Sequence, residues 1–150
     1  LRCLVGSEMC IRDSIETALI AAEGTVVAVE YNGADRDTME DNVDHFGLQN
    51  VTIIDRVDEE SMKDCPVPSL VFMVASASME KELAYLTKLN PQIRVVIYTL
   101  DFQVAASAAT ILEKVGIGDV DTIQIAVSRL GSNHAFKQQP APWIITGHCS

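Results

Sequence analysis

Short β-branched runs alternate with longer, periodically apolar stretches along most of this chain. Thr25 to Tyr31 (TVVAVEY) has the pattern of a parallel strand buried on both faces. Asn32 and Gly33 turn the chain. Ala34 to Phe46 then predicts a polar helix with Met39, Val43 and Phe46 on one face and Gly47 as its stop. Val51 to Asp55 reads as the next strand, and Leu70 to Val74 as another, entered through Pro66 and Pro68. Met79 to Leu89 predicts a helix whose core stripe is Leu83, Leu86 and Leu89, ended by Asn90-Pro91. Arg94 to Thr99 is strand-like, and Phe102 to Val115 predicts an Ala-rich helix closed by Gly116 and Gly118.

Beyond this point the period changes. Thr122 to Ser128 alternates, Trp143 to Thr146 is a last short strand, and the polar stretch from Arg129 to Pro142 between them has no room for a helix. The two strands are therefore expected to be antiparallel. Repeated βα units imply a mostly parallel sheet with helices on both faces. The closing antiparallel β-hairpin distinguishes the class I methyltransferase variant from a plain Rossmann-like α/β domain. No linker, repeat or low-complexity segment divides residues 1–150, so one domain is expected.

Composition narrows the classes. The chain is 48% hydrophobic and 21% charged, as a globular domain is. Its net charge of -10 argues against a nucleic-acid partner, which needs a basic footprint. No apolar run is long enough to span a bilayer and no secretory signal is seen, which predicts a cytoplasmic location and no membrane partner. Cys3, Cys10, Cys65 and Cys149 form no C-x-x-C pair, and no His stands at ligand spacing, so no metal is expected. After Asp121 no acid occurs, while Arg129, Lys137, His134 and His148 remain. This tail is either a docking place for an anionic ligand or a buried hairpin poor in charge.

Glu30, at the end of a strand, is the strongest candidate for chemistry. In Rossmann-like nucleotide sites an acid here accepts from both ribose hydroxyls; the other reading is an ordinary acid at a strand end. A Gly-rich turn should precede it, yet Gly6 is the only glycine before Ser14, with the next at Gly24. The helix that should follow this turn has a start of its own. Asp13 or Ser14 can cap it, and Glu16 completes a capping box with Asp13.

From Ser14 to Gly147 the chain resembles the decarboxylating precorrin methyltransferase family, the C-15 methyltransferase domain of cobalamin biosynthesis. The resemblance lies in Ser14-Ile15-Glu16 running into Thr25-Val26-Val27-Ala28-Val29-Glu30, in Asn50-Val51-Thr52, and above all in Val127-Ser128-Arg129 followed by Pro142-Trp143-Ile144-Ile145-Thr146-Gly147. It implies a homotetrameric class I fold that uses S-adenosyl-L-methionine. The substrate would be a tetrapyrrole of the precorrin-6 type, with or without cobalt, methylated at C-15 and decarboxylated at the ring C acetate. A C-5 methyltransferase domain often precedes this one. The implied cofactor-binding positions are Glu30, Tyr31, Val57, Asp58, Val74 and Ala75, with Ser76 and Arg129 for substrate. Arg129 matches a substrate carboxylate bidentately; its other reading is a structural ion pair.

Three departures stand out. Ala75-Ser76-Ala77-Ser78 replaces the family's glycines, and Arg56-Val57 stands where the family often shows Gly-Asp, which leaves the adenine contact open. Residues from Leu1 to about Asp13 do not resemble the family and look like translated sequencing-adaptor sequence. Native sequence is then expected to resume near Ser14, with its first strand and Gly-rich loop overwritten; a diverged loop is the other reading. Leu4-Val5-Gly6 could imitate the first strand, whereas Glu8 to Arg12 would put bulky side chains where the backbone should meet the methionine moiety. Such a chain is expected to fold as a methyltransferase and bind its cofactor poorly.

Methyl transfer needs positioning more than acid-base chemistry, so no general base is named; Tyr31, Thr99 and His134 are the available polar groups. Competing readings are a non-catalytic Rossmann-like module that binds a nucleotide or partner, and a class I methyltransferase for another small molecule.

Overall fold

The computed structural model describes residues 2–6, 10–132 and 134–148. Chain order runs β1 (Arg2–Gly6), α1 (Cys10–Ile20), β2 (Thr25–Val29), α2 (Gly33–His45), β3 (Val51–Ile54), α3 (Glu59–Met62) and β4 (Leu70–Val74). It continues with α4 (Met79–Leu89), β5 (Arg94–Thr99), α5 (Phe102–Lys114), β6 (Gly118–Gln124), β7 (Ser128–Leu130), β8 (Phe136–Gln138) and β9 (Trp143–His148). Seven strands form one sheet in the order β3-β2-β1-β4-β5-β9-β6, and β7 and β8 pair separately. The first five are parallel. β9 runs antiparallel to both β5 and β6, so the expected closing hairpin exists and its second strand is the inner one.

Alternation along the strands divides the core into two layers, because successive side chains point to opposite faces. Val29, Val71, Met73, Val95, Ile97 and Ile145 meet Met79, Leu83 and Leu86 of α4 and Ala105, Ala108 and Leu112 of α5. On the other face Val26 and Ala28 meet Ala18 of α1 and Met39 of α2. Helices thus cover both faces, as the βα repetition requires.

Residues 2–6 fill the central position, paired with β2 on one side and β4 on the other. Leu4-Val5-Gly6 therefore does act as a first strand. Residues 7–9, including Glu8, lie outside the described residues, as does Cys149. Arg12 is exposed and pairs with Asp13 and Glu16 on its own helix.

Several expected boundaries shift. α1 begins at Cys10, so Asp13 and Ser14 lie within it and neither is its cap. No Gly or Pro interrupts this stretch, and Asp13 in the first turn faces the positive end of the helix dipole. Phe46 is exposed rather than core-facing, edge-on to the His45 ring at 5.3 Å. α2 lies over β3, the edge strand, and only Met39 on its middle turn is fully buried. Leu89 is likewise exposed at the end of the α4 stripe. Glycine matters where α2 and α5 stop: Gly47 (φ +64°) and Gly116 (φ +88°) adopt the left-handed conformation that ends a helix. Gly118 does not close α5 but opens β6, which starts four residues before the alternating run. The expected loop from Arg129 to Pro142 contains the β7–β8 ribbon. This ribbon is exposed throughout its described residues, so the reading of the acid-free tail as a buried hairpin does not hold there.

Gly147 ties the tail to the core. A Cβ there would stand 2.7 Å from Cγ2 of Ile117 and 3.3 Å from Cδ1 of Leu112, both fully buried. Gly147→Ala is expected to lower unfolding stability by about 1–3 kcal/mol through overpacking, measured by chemical denaturation.

Candidate functional site

β1, β2, β3 and β4 run parallel, so the loops after them emerge along one edge of the sheet. Ligand crevices in open α/β sheets form at this edge, where the strand order reverses. Glu30 leaves β2 here with its backbone N–H donating to the Ile54 carbonyl at 3.0 Å. The residue is buried, and its Oε1 accepts from the Asn32 backbone N–H at 2.9 Å. Asn32 in turn caps α2 by accepting from the N–H groups of Ala34 and Asp35. Arg36 Nη1 donates to the carbonyls of Glu30 (2.9 Å) and Tyr31 (3.1 Å). This turn is therefore held at several points, the Glu30 carboxylate among them.

The segment after β3 is equally organised. Arg56 pairs with Asp55 Oδ2 at 2.8 Å, while Ser61 Oγ donates to Asp55 Oδ1 at 2.9 Å. Asp58 caps α3 by accepting from the Ser61 N–H at 2.9 Å. Hydrogen bonding from Arg56, then from Ser61, holds the Asp55 carboxyl below the ordinary carboxylate range; the Ser61 backbone N–H does the same for Asp58. Burial pushes the Cys65 thiol up, which leaves it a weak nucleophile.

A cavity of about 290 Å³ lies between these loops and α4, lined by Tyr31, Asp55, Arg56, Val57, Asp58, Ser78, Lys81 and Glu82. It sits at the small end of the ~300–1,000 Å³ usual for ligand pockets and suits one end of a nucleotide-like ligand. Tyr31, Val57 and Asp58 of the expected residues meet in it. Glu30 lies next to Tyr31 but outside this lining. Val74 and Ala75 are half-buried at the end of β4, with the Ala75 N–H donating to Tyr98 O at 2.9 Å, and Ser76 is exposed with its Oγ 3.0 Å from that of Ser78. Arg129 is not brought to the cavity lining. It stands on β7 directly opposite Lys137 of β8, exposed, and makes no ion pair among the described residues. Its alternative reading as a structural ion pair finds no support there.

Asp55, Arg56, Ser78, Lys81 and Glu82 do not stand out in the sequence as site residues. Glu82 does carry a signal. Met79, Glu82, Leu83 and Leu86 follow the i, i+3, i+4, i+7 spacing of a buried helical stripe, and all four are buried. An acid on such a stripe needs a polar reason for its position. No helix among the described residues is long and apolar enough to cross a membrane.

Residues 11–146 match the profile of the precorrin methyltransferase domain. No curated protein sequence matches the chain. Among solved structures, the precorrin-6Y C5,15-methyltransferase of Geobacter metallireducens GS-15 superposes with a TM-score of 0.87 at 22% identity, over 100% of this chain and 80% of that one. The precorrin-8W decarboxylase of Methanobacterium thermoautotrophicum gives 0.75 at 18% identity, over 97% and 80%. The C-terminal domain of the Rhodobacter capsulatus precorrin-6Y C5,15-methyltransferase gives 0.68 at 18%, over 98% and 79%.

The acidic segment after β3 generates a prediction. A depressed folded-state pKa means stabilisation present above the ordinary carboxylate range and lost as pH falls through the depressed value. The Asp55 side chain, followed by carboxyl-carbon NMR, is expected to titrate with a midpoint below 3.8. Arg56→Ala is expected to move that midpoint upward, and an unchanged midpoint would refute the assigned cause.

Proposed function

The chain belongs to the precorrin methyltransferase domain family, and from that premise we propose that it moves a methyl group from S-adenosyl-L-methionine to C-15 of a precorrin-6-type corrin precursor. Decarboxylation of the ring C acetate accompanies the transfer, within cobalamin biosynthesis. The observation that supports this most is the cavity at the carboxyl edge of the sheet, bounded by the turn after β2, the segment after β3 and the start of α4.

The residues present suit the adenosyl end of that cofactor. Glu30 is a buried carboxylate whose Oε1 is engaged by its own turn, which leaves Oε2 to accept from ribose hydroxyls. Tyr31 and Val57 supply apolar walls, and Asp58 lies beside them. Val74, Ala75 and Ser76, at the end of β4 and just beyond it, are the positions assigned to the methyl-donor and substrate side. When bound, the sulfonium supplies an activated methyl group. The protein's share is to orient it against the attacking carbon and keep the path short.

Arg129 and Lys137 stand opposite each other across the β7–β8 ribbon. Like charges placed so are unfavourable on their own, and a substrate carboxylate between them relieves the repulsion. The proposed substrate has many acetate and propionate arms. The same region exposes Ile123, Ile125, Val127, Leu130 and Phe136, which supports assembly of several copies, a homotetramer in this reading. A C-5 methyltransferase domain upstream is also part of the proposal, supported by the double C5,15 name of two structural neighbours.

Calorimetry with S-adenosylhomocysteine, on the unaltered chain and on a form with a Gly-rich loop restored at residues 7–9, tests the cofactor assignment. Glu30→Ala is expected to weaken binding roughly 10–100-fold, the loss of charge-assisted hydrogen bonds of about 1.5–3 kcal/mol. Incubation of the restored form with a precorrin-6-type substrate should give methylation matched by release of carbon dioxide. Arg129→Ala should raise KM about tenfold or more with a smaller change in kcat, as loss of one bidentate carboxylate contact implies. Binding without any methylation of the tetrapyrrole would instead favour a different small-molecule acceptor.

A further inference from the structure

Glu82 is a carboxylate on the buried stripe of α4, only 7% exposed, yet it lines the cavity described above. Burying such a group is costly unless it is hydrogen-bonded. Its Oε1 accepts from Tyr31 Oη at 2.5 Å, a contact between the end of β2 and α4 that spans 51 residues of sequence. Oε2 has no hydrogen-bond partner among the described residues. It is not sealed in the core either, since Ser14 Oγ is the one fully buried side-chain N or O atom there without a partner. Oε2 therefore keeps some accessible surface, on a residue that lines the cavity.

Of the other two carboxylates of the lining, Asp55 is fully engaged and Asp58 half engaged. Asp55 spends Oδ1 on Ser61 and Oδ2 on Arg56. Asp58 holds α3 through Oδ1, with Oδ2 3.9 Å from Arg56 Nε. Val57, between them, has no polar side chain to offer. A nucleobase in this cavity thus meets two carboxylate oxygens that accept no hydrogen bond among the described residues, Asp58 Oδ2 and Glu82 Oε2; the first faces the Arg56 guanidinium, whereas the second is presented by a helix on a carboxylate fixed in orientation by a phenol.

We propose that Glu82 is the residue that selects the nucleobase, its Oε2 accepting from the exocyclic amino group of a 6-aminopurine, with Tyr31 as the positioning residue that aims it. A 6-oxopurine would place a carbonyl oxygen against the carboxylate, acceptor against acceptor, and is rejected. The proposal rests on the reading of this cavity as the adenosyl site. It goes beyond that reading in naming the group on α4 that reads the base.

The experiment compares 5′-methylthioadenosine with 5′-methylthioinosine by ligand-observed NMR titration. Both carry ribose and base without the amino-acid end, the part of the cofactor that a Gly-rich loop is expected to meet. The unaltered chain is expected to prefer the adenosine form by about tenfold or more, as sites that hydrogen-bond a specific polar group do. Glu82→Gln, whose amide donates as well as accepts, should bring the two within about threefold, since the mismatched acceptor pair is gone. Tyr31→Phe should also reduce the preference, and it serves if the Gln variant loses its thermal unfolding transition. Equal binding of both nucleosides by the unaltered chain, or a preference untouched by both variants, would overturn the role of Glu82 while leaving the adenosyl site intact. Absence of binding by either nucleoside would overturn the adenosyl reading and this inference together.

Discussion

Parallel pairing of β1 with both β2 and β4 is the constraint on which the rest of the structure depends. Register along these ladders sets Gly6 beside Val29 and Met73. Chain direction is the same in all three strands, so the loops that follow them must share one edge. From this edge β2 and β3 extend one way and β4 and β5 the other, and the diverging connections leave a crevice. Every residue of the cavity lining lies beyond a strand end of this group or at the start of α4, which the β4 connection delivers. Buried β-branched strands make that edge rigid, and the polar residues beyond it can be held by short hydrogen bonds without the backbone shifting.

Much of this is legible in the chain because it obeys local rules. β4, β5 and α4 coincide with the runs that predict them, since each is bounded by Pro, Asn or small residues and carries a clear period. Where pattern and fold disagree, a tertiary cause can be named. A plausible capping box at Asp13 hides the fact that nothing upstream breaks the helix. β6 pairs through Gly118–Gln124 with an irregularity between Gly118 and Asp121, so its strongest alternation lies past its paired part. β7 and β8 have three residues each, too few to register as periodic. Phe46 and Leu89 fit their helical stripes on paper, but the stripes outrun the layer that covers them.

The site is half visible for a related reason. Strand-end positions such as Glu30 and Tyr31 follow from topology, which the alternation of strands and helices along the chain already implies. Glu82 becomes a site residue only because Tyr31 reaches it from another element, a meeting no local pattern encodes. Asp55 and Asp58 read as ordinary surface acids. Their hydrogen bonds to Ser61 and Arg56 make them part of the frame of the cavity. Arg129, prominent in the sequence, stands on a ribbon of its own, outside the cavity lining.

That ribbon has a consequence for how the protein behaves as a population. A two-stranded hairpin is marginal by itself in water, and this one keeps Leu130 and Phe136 exposed on residues paired with each other. What covers it decides how much of the time it is ordered. If other copies of the chain supply that cover, the occupancy of the ordered ribbon, and with it the placement of Arg129, obeys mass action. Dilution would then loosen the ribbon, and with it the substrate contact proposed for Arg129, before it disturbed the cavity beside α4, whose walls are internal to one chain.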